Sequence, residues 1–211
     1  MKEDQNKISP LIDELKTHKV EFLISDGINA KNQTYAKYVN RWLYQLGDKN
    51  VKLTKQLFDY DIYIDKNPDL IQGQITNKTK AWIHWLKTGM NENRRLYDKS
   101  NIQNISQIGC LLAHNKVIID AIKKKYKKIL ILEDDIYFHN NFFDIFKKNM
   151  DQLPRKWELL YFGGIQKNWE DISIKKNLYQ AQNTYGAFAY AVDNSIFNII
   201  KKISFELTEP I

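Results

Sequence analysis

Lys128-Ile129-Leu130-Ile131-Leu132-Glu133-Asp134-Asp135-Ile136-Tyr137-Phe138 is an unbroken apolar run that ends in three adjacent carboxylates. Apolar residues in succession, without helical spacing, read as a strand covered on both faces. Open α/β sheets take up ligands just beyond the carboxyl ends of such strands, which places Glu133, Asp134 and Asp135 at the margin of a crevice. Adjacent carboxylates repel one another, and hard divalent cations such as Mg2+ or Mn2+ prefer carboxylate oxygen. A cation carrying a polyphosphate therefore suits the corner. A polar strand-to-loop turn whose acids cap the next helix accounts for the same residues, and the triplet alone does not choose between the two.

The elements around this run alternate in type. Upstream, Ile108, Leu111, Leu112, Ile118, Ile119 and Ile122 recur at helical spacing, with Ser106 as an early cap. Downstream, Phe142, Phe143, Ile145 and Phe146 predict a short helix. Glu158 to Phe162, stopped by Gly163-Gly164, and Gly186 to Val192 predict two more strands, after which Asp193 or Asn194 caps a last helix with Ile196, Ile199, Ile200 and Ile203 on its apolar face. Towards the N-terminus, Ile8 to Leu15 has helical spacing, and Lys19 to Ser25 predicts a strand that turns at Asp26-Gly27. Tyr35, Val39, Trp42, Leu43 and Leu46 then mark an amphipathic helix that Gly47 ends. Strands alternating with helices give an α/β fold, with a mixed, mainly parallel sheet flanked by helices.

Residues 54 to 97 interrupt that rhythm. Phe58-Asp59-Tyr60-Asp61-Ile62-Tyr63 and Trp82-Ile83-His84-Trp85 concentrate aromatic side chains, Pro68 breaks one helix and Gly89 closes another. The stretch reads as a small all-α insertion whose aromatic residues form its own core rather than a stacking platform. The chain thus divides into an N-terminal α/β part (1–53), the insertion (54–97) and a core α/β part with the acidic triplet (98–211).

With 211 residues, 43% of them hydrophobic, there is enough material for one good core and a small appended unit. No stretch is expected to supply the ~18 to 20 uncharged apolar residues of a membrane helix, and the start Met1 to Asn6 is too polar and acidic for a signal peptide. The single Cys110 excludes a disulfide framework, which suits a reducing, cytoplasmic location. Lysine supplies all of the 32 basic residues except Arg41, Arg94, Arg95 and Arg155, and the net charge is +7. So few arginines argue against base-reading nucleic-acid recognition; the lysines suit solvated helix ends or the steering of a phosphate.

Gln107-Ile108-Gly109-Cys110-Leu111-Leu112-Ala113-His114, then Ile129 to Asp135, then Trp157-Glu158-Leu159-Leu160-Tyr161-Phe162-Gly163, and finally Thr184-Tyr185-Gly186-Ala187-Phe188-Ala189-Tyr190 form an ordered set. That set resembles glycosyltransferase family 25, which includes bacterial lipooligosaccharide and collagen galactosyltransferases. Phe22 to Gly27 is similar to the family's earlier Asp-Gly segment, while Ala113 stands where the family usually has Ser and Gln107 where Glu is common. The insertion resembles a short helical repeat attached to many surface-polysaccharide glycosyltransferases. Its His84, Glu92 and Arg94 read as salt-bridge and capping residues rather than a ligand site.

The resemblance implies a GT-A-like fold that transfers a sugar, galactose or glucose, from a nucleotide diphosphate donor such as a UDP-sugar to a hydroxyl of a glycan or glycoprotein, with inversion. It implies Mn2+ or Mg2+ held by Asp135 with Glu133; where the strand persists that far, alternation sends Asp134 to the opposite side from its neighbours. Ser25 and Asp26 then face the nucleotide's base or ribose. Gly109 lets a ligand approach the backbone near a helix N-terminus, and His114, one turn on, faces the donor. On its own, a lone His on an apolar helix is more often a hydrogen-bonded core residue, and a lone Cys110 without a base partner is no nucleophile. No residue is assigned as the catalytic base. Two other readings stand beside this one: an inactive relative that binds a glycan or partner protein, and a phosphohydrolase, for which the partner Lys and Thr motifs are not recognisable. The Lys, Asn and Ile richness suits an AT-rich genome, bacterial or that of a large DNA virus, with host cytoplasm or virion as the location in the viral case.

Overall fold

A computed structural model of the chain describes residues 5–165, 173–175, 177–182 and 184–209. They fall into two compact units. Met1–Asp26 and Val117–Ile199 build the first, and Gly27–Lys116 with Ile200–Pro210 the second.

The first unit opens with α1 (Gln5–Thr17), which buries Leu11 and Leu15 and closes with Lys19 in the left-handed region, φ 57°. The next element is the C-terminal part of α6 (Ile105–Lys123); α2 to α5 lie in the second unit. β1 (Lys128–Leu132), α7 (Phe142–Met150), β2 (Leu159–Ile165), the short β3 (Ser173–Lys175) and β4 (Leu178–Tyr179), and β5 (Tyr185–Asp193) follow. The main sheet has the order β1-β5-β2, and β3 pairs with β4 in a separate ribbon. Lys128 faces Asp193 and Leu132 faces Ala189 along one ladder, and Leu159 faces Val192 and Tyr161 faces Tyr190 along the other, both antiparallel.

This corrects the expected mainly parallel sheet. β1 and β2 do point the same way, as a strand–helix–strand crossover through α7 requires, but β5 enters between them in the opposite sense. β1 is therefore an edge strand, with Leu130 exposed and Ile131 buried, rather than a strand covered on both faces. The strand expected at Lys19 to Ser25 is also absent: residues 20–29 carry no regular structure, and Leu23 and Ile24 are 69% and 63% exposed. An apolar run forms a strand only where a sheet edge receives it, and no ladder among the described residues does. α7 covers the sheet through an aromatic cluster in which Phe142 stacks on Phe138 at 4.5 Å and Phe146 meets Phe162 at 5.3 Å. His18 stacks on Phe143 at 3.7 Å. A cavity of about 190 Å³ beside them is lined by Leu130, Phe146, Met150, Trp157 and Phe162.

In the second unit, Asn32 caps a short 3-10 turn (Gln33–Tyr35) that leads into α2 (Ala36–Gln45), which ends at Gly47 with φ 81°. The buried face of α2 is Arg41, Trp42 and Gln45, and Leu46 is exposed, so the helix is rotated from the stripe read in the sequence. Arg41, only 1% exposed, pairs with Asp59 at 3.2 Å and lies against the rings of Tyr38 and Tyr97. That guanidinium is held by one charge and two π faces.

Asp59 also caps α3 (Tyr60–Lys66), accepting from the Asp61 and Ile62 N–H groups. α4 (Asp69–Gln72) follows Pro68, and α5 (Lys78–His84), capped by Asn77, runs into a π-turn at Trp85–Gly89. Phe58, Tyr63, Ile64, Leu70, Ala81, Trp85 and Leu96 form one buried cluster here. Full burial of a side chain such as Phe58 contributes on the order of 2 to 3 kcal/mol. Gly89 is required by this packing: a Cβ there would lie 2.5 Å from the Tyr63 hydroxyl and 3.2 Å from the Trp85 ring. Tyr63 bonds His84 Nδ1 at 3.0 Å, and Arg94 binds both oxygens of Asp69 at 2.9 and 2.8 Å and Glu92 at 2.6 Å.

Asn104, two residues before the expected Ser106, caps α6 by accepting from Gln107 N–H at 3.1 Å, while the Gln107 side chain returns to Gln103 N–H at 2.7 Å. α6 is the one described helix long and apolar enough to cross a membrane, a property the sequence reading did not assign to any stretch. Its Ile108, Leu111, Leu112, Ile118 and Ala121 are buried in the protein, the pattern of a core helix. α8 (Phe197–Glu206) turns inward Phe197, Ser204 and, just past its end, Leu207, leaving Ile199 and Ile203 exposed where an apolar face was expected.

Candidate active site

β1 carries the acidic triplet at its end. The Glu133 N–H donates to the Phe188 carbonyl at 2.9 Å, so the ladder to β5 extends one residue past the strand before the chain turns at Asp134-Asp135. Glu133 is half-buried, and Asp134 and Asp135 are exposed. Burial raises the Glu133 carboxyl above the ordinary carboxylate range, and the charges of Asp135 and then Asp134 push it the same way. Among the described residues neither Asp134 nor Asp135 forms an ion pair with a lysine or arginine. The triplet is not a three-ligand cluster by itself. The hard oxygen donors and the repulsion felt at Glu133 are of the kind a divalent cation relieves.

Phe138 packs on Phe142 and Phe143 and fastens the loop after the acids to α7. Ser25 and Asp26 lie in the same unit as the triplet, on an exposed segment without regular structure rather than at a strand end. The residue that sequence reasoning passed over is Phe188, whose carbonyl pins Glu133; a backbone partnership leaves no side-chain signature to read.

Gly109 and His114 belong to the second unit, on α6. A Cβ on Gly109 would lie 2.5 Å from the Ile28 carbonyl oxygen, so the glycine lets the 27–30 loop rest directly on the helix. His114 is 6% exposed, and burial lowers its pKa to about 4, leaving the imidazole neutral at neutral pH with one donor and one acceptor nitrogen. Cys110, one turn before it, is half-buried.

Residues 1–202, and with them the acidic corner, the α6 segment and the three sheet strands, match the model of glycosyltransferase family 25 (LPS biosynthesis protein). The chain belongs to glycosyltransferase family 25. This family 25 chain is similar to procollagen galactosyltransferase 2 of Mus musculus, with 25% identity over 154 residues that cover 69% of the chain and 24% of that protein. A glycosyltransferase 25 family member of Drosophila melanogaster is 30% identical over 95 residues, 42% of the chain and 15% of that protein. The inactive glycosyltransferase 25 family member 3 of Homo sapiens is 27% identical over 92 residues, 41% of the chain and 16% of that protein. The family 25 chain thus matches about a quarter of the length of the procollagen galactosyltransferases. No solved structure matches it.

Proposed function

We propose that this chain is a metal-dependent glycosyltransferase of GT-A-like type, moving galactose or glucose from a nucleotide diphosphate sugar, a UDP-sugar, to a hydroxyl of a glycan or protein with inversion at the anomeric carbon. The observation that carries the reading is the acidic corner at the end of β1 within a family 25 sequence. Glu133 sits half-buried there, with its negative charge disfavoured by burial and by its neighbours.

Glycosyl transfer loads negative charge onto the departing diphosphate as the bond to the sugar breaks, and rate comes from what stabilises that charge. Mn2+ or Mg2+ bound at the corner would supply that neutralisation. Asp135 and Glu133 would hold the cation, and Asp134 would contact the donor. Ser25 and Asp26 are proposed to receive the base or ribose and His114 to contact the donor, whereas the open face of Gly109 is taken by the 27–30 loop. The neutral His114 offers a hydrogen bond without adding charge.

A panel of nucleotide sugars screened by thermal shift, with and without Mn2+, tests the proposal. One donor should raise the melting temperature only with the cation, and Asp135→Asn should abolish the rise. The 27% identity to an inactive human relative favours a second reading, a glycan- or partner-binding module. Absence of stabilisation by every donor with either cation would select it.

A further inference from the structure

The α5 segment and its π-turn present two unlike faces. Ala81, Trp85 and Gly89 are buried in the aromatic cluster, while Ile83, Leu86 and Met90 are 45%, 51% and 54% exposed. Their spacing of three and four residues keeps the exposed apolar residues on one stripe. From Lys78 to Met90 the sequence holds three lysines, Lys78, Lys80 and Lys87, and no acidic residue. Lys80 and Lys87 are exposed and lie on the same side of the helix as Ile83, and Lys55 joins them by reaching Thr79 Oγ1 at 3.4 Å. The nearest following acid, Glu92, is bound to Arg94.

We propose that this stripe rests on an anionic lipid surface, with Ile83, Leu86 and Met90 entering the headgroup layer and the lysines meeting lipid phosphates and carboxylates. The charge is complementary, and lysine's long stem lets the ammonium stay at the headgroups while neighbouring apolar residues go deeper. Three half-exposed side chains offer far less than the roughly 800 Å² that each partner contributes to a stable protein complex, whereas shallow membrane contact needs only a few such residues plus cationic attraction. The proposal does not depend on the transferase reading.

The test is flotation of the full chain with vesicles of phosphatidylcholine alone or with roughly 30% phosphatidylserine, at low and physiological salt. Capture by the anionic vesicles alone is expected. It should weaken about tenfold or more with Leu86→Ser plus Met90→Ser, and likewise with Lys80→Glu plus Lys87→Glu, while Lys147→Glu plus Lys148→Glu on α7 changes it less than about twofold. All these positions are exposed, and unaltered melting temperatures would show the variants folded. Capture that ignores the apolar pair would assign it to net charge and overturn the proposal. No capture, equal capture by neutral vesicles, or a preference for an acidic protein over the vesicles would overturn it as well.

Discussion

At the scale of single residues, Gly109 and His114 carry the clearest consequences. Gly109→Ala forces a methyl group against the Ile28 carbonyl, a backbone atom that cannot swing aside, so urea denaturation should show a loss of about 1 to 3 kcal/mol. His114 has a folded pKa of about 4 against an ordinary 6.5, so between these values the unfolded chain binds the extra proton. Its contribution to stability is complete above pH 6.5 and falls as pH drops towards 4, by about 1.4 kcal/mol per unit and about 3 kcal/mol in all. His114→Gln should flatten that part of the stability–pH curve; an unchanged slope would contradict the assignment. Sequence marked both residues, because a glycine beside a helix start and a histidine on an apolar stripe stand out. It did not mark Arg41, since nothing in a lone arginine says that a carboxylate and two aromatic rings will receive it in the interior.

At the scale of elements, Asp59 joins two jobs that are usually separate. One carboxylate oxygen caps α3 and the other pairs with the buried Arg41. Asp59→Ala should therefore cost roughly 3 kcal/mol or more, since it strands a buried guanidinium as well as removing a cap. Asp59→Asn, which can still cap, should cost less, and chemical denaturation of both variants separates the two contributions. The strands β1, β2 and β5 were legible as apolar runs, and so was the shared direction of β1 and β2, which a short helical crossover imposes. The entry of β5 between them was not legible, because strand order depends on how edges meet rather than on composition. The acidic corner was legible for the same reason as β1: a charge cluster that stops an apolar run marks a strand end. Its backbone tether to Phe188 was not.

At the scale of the molecule, the second unit depends on a distant stretch of chain. Gln45 donates to the Glu206 carbonyl at 2.9 Å, Ser100 to that of Leu207 at 2.6 Å, and Asn115 to that of Lys201 at 3.1 Å, while Leu207 is fully buried. Truncation after Ile199 removes all three acceptors and that core residue, taking the acceptors of Ser100 and Asn115 and leaving Gln45 only the Asp98 carbonyl. The expected outcome is loss of cooperative melting of the second unit's aromatic signal in near-ultraviolet circular dichroism; an unaltered melt would show that residues 27–116 stand alone.

The bare stretch around Leu23 has a practical side. Exposed aliphatic side chains on a stretch outside any described ladder are a ready seed for intermolecular strand pairing, so copies should cohere as solutions are concentrated. The apparent molar mass from static light scattering should climb with concentration for the parent chain and stay flat for Leu23→Lys, which places a repelling charge at the point of adhesion.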